Sequence, residues 1–434
     1  MPRAFPAPTA PTAPRSMPRV PSPPASPTAS RLAPSPTAER RTQEPKAFLG
    51  GGSEYDFPGT SAGELYDEFH ARGGTPKTAA SGAARRSHAA AKRAAMTRAE
   101  RREAQLERIS KRGFVAALDQ SGGSTPRALA LYGVTDIRAE DKSEMFDAAH
   151  AMRTRIVTSK AFDGAKVLGA ILFADTAFAR RVQGKPTASY LWEDKGIVPF
   201  LKIDVGLQPE ANGVQLMRDI DDLGVTLSRC GRRDPKLDDD DASSEDTGYP
   251  KPPKPLNPGD GNPGLCIFGT KARSVIRSND PNGIDALVAQ QFELASRVMD
   301  HGLVPIVEPE VDIDCKDKAG AETTLKAALV RHLDILETLA GDEDDPQLVI
   351  FKLTLPEDPS LYDSLVADPR VLRVVALSGG YDREESVRRL RRCRGVSASF
   401  SRALTEGLRV DMTDEEFDAA LGASIGAIYE AACT

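Results

Sequence analysis

With 434 residues, 40% of them apolar, the chain has room for one large domain of roughly 250–320 residues plus appendages. A net charge of −6 leaves no basic excess for neutralising phosphates, which argues against a nucleic-acid role, and no apolar run reaches the roughly 18 residues needed to cross a membrane. Five cysteines (230, 266, 315, 393, 433) without a C-x-x-C pair, and five histidines without ligand spacing, give no disulfide framework, no metal centre and no cofactor signature.

Residues 1–50 are mostly Pro, Ala, Ser, Thr and Arg, a composition that cannot bury a core and predicts a disordered tail. No continuous apolar stretch follows the first arginine, so a secretory signal is not expected. Two readings remain: a cleaved transit peptide, which would place the protein in a plastid, or a plain tail on a cytoplasmic protein. Residues 51–112 read as an N-terminal extension. Within it, 84–112 is rich in Ala, Arg and Glu at helical spacing, which predicts a solvated charged helix.

From Gly113 the rhythm changes. Short apolar runs recur at 114–118, 167–173, 197–203, 265–268, 303–307, 348–355, 371–377 and 396–400, and helical patterns such as 286–299 and 325–339 lie between most of them. Strands alternating with helices over 113–434 predict a (β/α)8 TIM barrel, with an open doubly wound sheet as the alternative. Residues 231–264, which include Asp-Pro-Lys-Leu-Asp-Asp-Asp-Asp, read as an acidic mobile insertion without calcium-loop spacing. A closing helix pair is expected at 414–421 and 425–432, with Thr413 as N-cap and Glu416 completing a capping box.

Residues two apart on a strand share a face. The run at 348–355 carries Lys352 in its middle, where an ammonium is costly unless paired or neutral, and a neutral buried amine is a nucleophile toward carbonyls. Other runs end similarly: Asp119 before Ser121 and Ser124, Lys202 before Asp204, Lys271 before Arg273, Glu308 before Glu310, then Ser378-Gly379 and Ser401-Arg402. In a closed parallel barrel these ends meet at one mouth. Lys352 then suggests imine chemistry, Glu308 and Asp119 proton carriage, and Lys271 a neighbouring cation. The serine–glycine loops with Lys202, Arg273 and Arg402 suggest a doubly phosphorylated substrate.

The blocks A-A-L-D-Q-S-G-G-S-T-P-R (116–127), M-R-T-R-I-V-T-S (152–159), K-G-I-V-P-F-L-K-I-D (195–204), F-G-T-K-A-R-S-V-I (268–276), G-L-V-P-I-V-E-P-E-V (302–311), L-S-G-G-Y (377–381) and A-S-F-S-R-A-L (398–404) resemble class I fructose-bisphosphate aldolase, most closely its bacterial-type branch. The resemblance implies a metal-independent Schiff-base enzyme that cleaves fructose 1,6-bisphosphate reversibly to dihydroxyacetone phosphate and glyceraldehyde 3-phosphate. It implies Lys352 as the imine lysine, Glu308 as the acid–base residue, and Lys271 and Asp119 as their neighbours. Ser378, Gly379, Ser401 and Arg402 would hold the ketose-side phosphate, while Ser121, Ser124, Lys202 and Arg273 would approach the other. Val205 departs from the family, where many members have lysine. The chain also ends Ala-Cys-Thr, without the C-terminal tyrosine of the animal branch. The rival readings are another imine-forming lyase or transaldolase on a phosphosugar, and a non-catalytic scaffold barrel. Scattered surface apolar residues are compatible with a homo-oligomer and do not require one.

Overall fold

The apolar runs pair edge to edge into parallel strands, as β-branched and leucine-rich segments do when helices cover both directions of return. A computed structural model describes residues 80–121, 124–135, 142–231, 266–340 and 347–434. Its barrel strands are β1 (Phe114–Leu118), β2 (Val167–Leu172), β3 (Val198–Lys202), β4 (Gly269–Ile276), β5 (Val304–Val311), β6 (Val349–Thr354), β7 (Val371–Leu377) and β8 (Ser397–Ala398). They lie in that order in one sheet, each parallel to the next. The Ala117 N–H donates to Phe400 O at 3.2 Å, and Ser397 Oγ donates to Gly113 O at 2.6 Å, so the last strand returns to the first. This is the (β/α)8 barrel, not the open sheet.

Helices α1 (Ala80–Ala94) and α2 (Arg98–Ile109) precede the barrel; α3 (Thr125–Tyr132), α4 (Lys142–Thr158), α5 (Pro281–Met299), α6 (Lys318–Ala340), α7 (Arg383–Leu390) and α8 (Asp414–Ala432) wrap it. The start of α5 is set locally: Asp280 accepts from the Gly283 N–H at 2.9 Å and Pro281 occupies the first turn. Its buried Ile284, Leu287, Val288, Gln291, Phe292, Ala295 and Val298 form one helical face against the sheet.

Four expectations need correction. The fourth strand is not 265–268 but Gly269–Ile276, and β5 continues through Glu308 to Val311. These two strands pair continuously from Gly269–Val304 to Ile276–Val311, so backbone pairing runs on beneath side chains that apolarity alone would have excluded. The charged stretch at 84–112 is two helices, because Thr97 caps a new one in a box with Glu100. Nor is it merely solvated. Ile109 is fully buried among Val115, Leu168, Phe200 and Phe268, Gln105 donates to Cys266 O at 2.8 Å, and Arg102 donates to Gly302 O at 2.7 Å. Finally, the closing pair is the single helix α8: no proline or cap interrupts it, and its buried Phe417, Leu421, Ile425 and Ile428 continue one face through Gly422. The Thr413–Glu416 capping box forms as expected.

Helix α2 therefore lies across the floor of the barrel. Above it, one strand face repeats the same order of residues: Val198–Phe200–Lys202, Val304–Ile306–Glu308 and Ile350–Lys352 each pass from apolar to charged toward the strand's C-terminal end. Gly269 permits the close packing there, since a Cβ at that position would lie 2.0 Å from Val304 O and 3.0 Å from the Phe200 ring. The expected tail at 1–50, the extension before residue 80 and the insertion from 232 to 264 lie outside the described residues. No helix among the described residues is long and apolar enough to cross a membrane.

Candidate active site

The charged halves of these strand faces converge. Lys352, only 4% exposed on β6, places Nζ 2.9 Å from Glu308 Oε1 on β5. The other oxygen of Glu308, Oε2, lies 2.9 Å from Lys271 Nζ on β4. Lys271 Nζ is also 2.8 Å from Asp119 Oδ2 and 3.5 Å from Asp204 Oδ2. Asp204 in turn pairs with Lys202 Nζ at 2.5 Å and accepts the Arg273 N–H at 3.2 Å. Cations and carboxylates alternate across the mouth, so each buried charge meets its opposite. Without that, their desolvation would cost several kcal/mol per ion by general estimate.

The pairing fixes protonation. Burial alone would lower the pKa of Lys271, but Asp119, Glu308 and Asp204 outweigh it and raise the value, so Lys271 stays a cation. Burial would raise the carboxyl of Asp119, and Lys271 and Lys352 reverse that and hold it low; Asp204 is likewise lowered by Lys271 and Lys202 against burial. Lys202 goes the other way, because burial outweighs its pairing with Asp204 and lowers its pKa. The sequence suggested two lysines as direct neighbours; the structure puts a single carboxylate, Glu308, in contact with both. Glu308 Oε2 lies off the line of a hydrogen bond to Lys271, so this buried oxygen keeps an acceptor position unfilled among the described residues.

A second group of expected residues gathers where β7 and β8 end. Ser378 is buried, and Gly379 and Gly380 have φ of +61° and +141°, a turn that an L side chain would strain. Arg402 donates to Gly380 O, which ties the β8 loop to this turn. Ser401 Oγ accepts from Gln120 Nε2 at 2.6 Å. Ser378, Gly379, Ser401 and Arg402 thus form one patch of hydroxyls, turn backbone and a cation.

The other expected group is less unified. Arg273 is held by Glu310 at 2.5 Å, and Glu310 raises its pKa against the effect of burial. Lys202 turns toward Asp204. Among the described residues Ser124 Oγ bonds within its own loop, accepting the Ser121 N–H and donating to Ser121 O, both at 3.1 Å. That loop follows Gln120 and so leans on Ser401 at the β8 side, while Lys202 and Arg273 lie on β3 and β4.

Sequence reasoning named Asp204 and Glu310 at the strand ends without giving them a role, and it passed over Gln120 and Arg153. Asp204 and Glu310 were readable, since each stands two residues beyond a named charge on the same strand face. Gln120 and Arg153 carried no such signal. Arg153 sits on a helix, where strand alternation says nothing, and reaches the mouth from behind.

Fold and site together define a (β/α)8 barrel with a buried lysine–carboxylate lattice at the C-terminal ends of its strands. The fructose-bisphosphate aldolase class 1 of Synechocystis sp. is 47% identical over 336 residues, covering 77% of this chain and 99% of that protein. The protein of the same description from Clostridium acetobutylicum is 45% identical over 333 residues, covering 76% of this chain and 99% of its own length. The chain belongs to the class 1 fructose-bisphosphate aldolase family. A solved Plasmodium falciparum fructose-bisphosphate aldolase, in complex with TRAP and a small-molecule inhibitor, aligns with a TM-score of 0.53 at 18% identity over 77% of this chain and 94% of that one, a likeness of fold. No family model matches the chain.

Proposed function

We propose that the protein cleaves fructose 1,6-bisphosphate reversibly to dihydroxyacetone phosphate and glyceraldehyde 3-phosphate through an imine on Lys352. The observation that carries this reading is the 2.9 Å contact of Lys352 Nζ with Glu308 Oε1, inside a wall of compensated charge. The Lys352 amine adds to the substrate ketone, and loss of water from the carbinolamine leaves the imine. Glu308 takes the ammonium proton that frees the Lys352 amine and returns it to the departing water, because its Oε1 touches the reacting nitrogen while its Oε2 is anchored 2.9 Å from Lys271. As the carbon–carbon bond breaks, the Glu308 carboxylate takes the proton of the hydroxyl that becomes the aldehyde, and the protonated imine accepts the released electron pair. Lys271, kept cationic by three carboxylates, holds Glu308 and Asp119 in place as charge moves.

The patch of Ser378, Gly379, Ser401 and Arg402 takes the ketose-side phosphate. Lys202 and Arg273 take the other, with Ser121 and Ser124 approaching it from the loop after β1. Arg273 then exchanges Glu310 for a phosphate oxygen. Borohydride reduction in the presence of dihydroxyacetone phosphate should add the reduced ligand's mass to the peptide carrying Lys352, and Lys352→Met should abolish both adduct and turnover. EDTA should leave the rate unchanged. An adduct on a different lysine, or none, would remove the mechanism. Sequencing the N-terminus of the native protein decides between the two readings of residues 1–50: loss of that segment supports a plastid transit peptide, and a retained Met1 supports a plain tail on a cytoplasmic protein.

A further inference from the structure

Arg153 on α4 is 2% exposed, yet it forms no ion pair among the described residues. Its hydrogen bonds go to neutral acceptors: Nη1 donates to Thr176 Oγ1 at 2.8 Å, and Nη2 to the main-chain oxygen of Gln120 at 2.5 Å. Nε is buried with no partner. Burial lowers the guanidinium's pKa to about 10, so it remains charged at neutral pH, with Asp119 and Asp175 acting on it through space. A buried cation without a contacting anion is costly, and the guanidinium fork spans both oxygens with two separate N–H groups. The charge therefore needs a use.

That use lies in the peptide it grips. Gln120 immediately follows Asp119 at the end of β1, and the two side chains part from there. Asp119 reaches Lys271 at 2.8 Å, while Gln120 Nε2 donates to Ser401 Oγ at 2.6 Å. Because the Ser401 oxygen accepts this bond, its own hydrogen is free to be donated to an anion. The main chain held at the Gln120 carbonyl thus carries the Gln120 side chain that orients the hydroxyl offered to a phosphate and, one residue before it, the carboxylate that holds Lys271.

We propose that Arg153 is a positioning residue for the aldol reaction, fixing the main chain at the Gln120 carbonyl, the residue after Asp119, so that Asp119 meets Lys271 and Ser401 points its hydrogen at the substrate phosphate. The inference rests on the function proposed above. It acts on two groups at once, and the two effects separate kinetically. Loss of the Asp119 placement lowers kcat, since a displaced charge in the reacting lattice stabilises the transition state less. Loss of the Gln120–Ser401 bond raises KM.

The test uses the full chain with Arg153→Gln, Arg153→Lys and Gln120→Leu, measuring thermal melting, kcat, KM for fructose 1,6-bisphosphate and the yield of borohydride-trapped adduct. Arg153→Gln should lower kcat about 30- to 300-fold and raise KM about 3- to 10-fold. Arg153→Lys, which keeps the charge but reaches only one acceptor, should recover kcat in part, leaving it about 3- to 10-fold below wild type. Gln120→Leu should show the KM effect with kcat within about 5-fold. Wild-type kinetics in Arg153→Gln would overturn the inference, as would equal kinetic damage in the Gln and Lys variants accompanied by equal losses of melting temperature, which marks a structural stitch only. If Arg153→Gln does not fold, a Lys variant that melts like wild type yet keeps wild-type kcat and KM overturns it equally. Wild-type protein that forms no adduct at Lys352 defeats the underlying reading, whereas a normal wild-type adduct with an indifferent Arg153→Gln defeats only this one.

Discussion

Asp119 shows how one side chain ties the site to the stability of the fold. Its free carboxyl would titrate near 3.8; in the folded protein burial pushes that value up, but Lys271 and Lys352 bring it below the free value. A depressed carboxylate stabilises the native state fully at pH values above its unfolded pKa, and that contribution drains away as pH falls through the folded value. Unfolding free energy should therefore hold steady above about pH 5 and decline below about pH 4. In Asp119→Asn the acid limb should lose up to one proton's worth of slope, about 1.4 kcal/mol per pH unit. Stability at pH 7 should also drop, because Lys271 keeps only Glu308 and the more distant Asp204. Denaturant melts at pH 3, 4, 5 and 7 measure this, and parallel pH profiles for the two proteins would refute it. At this scale much was legible from the sequence. A lysine inside an apolar run can be flagged because its cost is large, and a charge two residues further along a strand must share its face. What could not be read was the partner of each charge. Glu308 in contact with both lysines depends on strand stagger, which no single strand encodes.

Between residue and molecule, the secondary elements start where side chains can serve orphan backbone groups. At the start of α8, Thr413 Oγ1 accepts the Glu416 N–H at 3.2 Å while Glu416 Oε2 accepts the Thr413 N–H at 2.9 Å. Thr413→Ala removes one half of this box and should cost about 1 kcal/mol, read as a lowered denaturant midpoint with unchanged slope. Turnover should stay as it was, because the cap is remote from the mouth. A midpoint unaltered within error would mean that the tertiary packing of Phe417 and Leu421 alone sets the start of this helix. The cap was legible because it is local: four consecutive residues hold both partners. The lower edge of β4 was not. Residues 266–268 are as apolar as any strand, yet only Phe268 bonds the neighbours, to Pro199 O at 2.9 Å and from the Val304 N–H at 3.1 Å, and the paired register begins at Gly269, where the neighbouring strand comes close enough to forbid a Cβ. Apolar content reports burial, and only the neighbour decides where pairing begins.

For the whole molecule, the barrel puts stability and chemistry at opposite ends. The strand faces pass from apolar to charged along their length, so the floor is a hydrophobic layer and the mouth an ionic one. Helix α2 covers the floor, contributing Ile109 to that layer and hydrogen bonds to Cys266 and Gly302 from residues that otherwise read as solvent-facing. Ala104, Leu106 and Ile109 form a narrow apolar side among many arginines and glutamates, so the composition of 84–112 reads as solvated although that side packs on the floor. The arrangement makes a separable prediction. Ile109→Ala removes a fully buried side chain from a packed layer and should destabilise by about 2–4 kcal/mol. Because the change lies at the end of the barrel remote from Lys352, kcat and KM of the folded protein should remain within about twofold of wild type, as expected where one barrel face carries stability and the other chemistry. Denaturant titration and steady-state kinetics on the same preparation would decide it. Lost turnover without lost stability would show that the floor and the mouth are mechanically coupled, and that the helix preceding the barrel takes part in shaping the site.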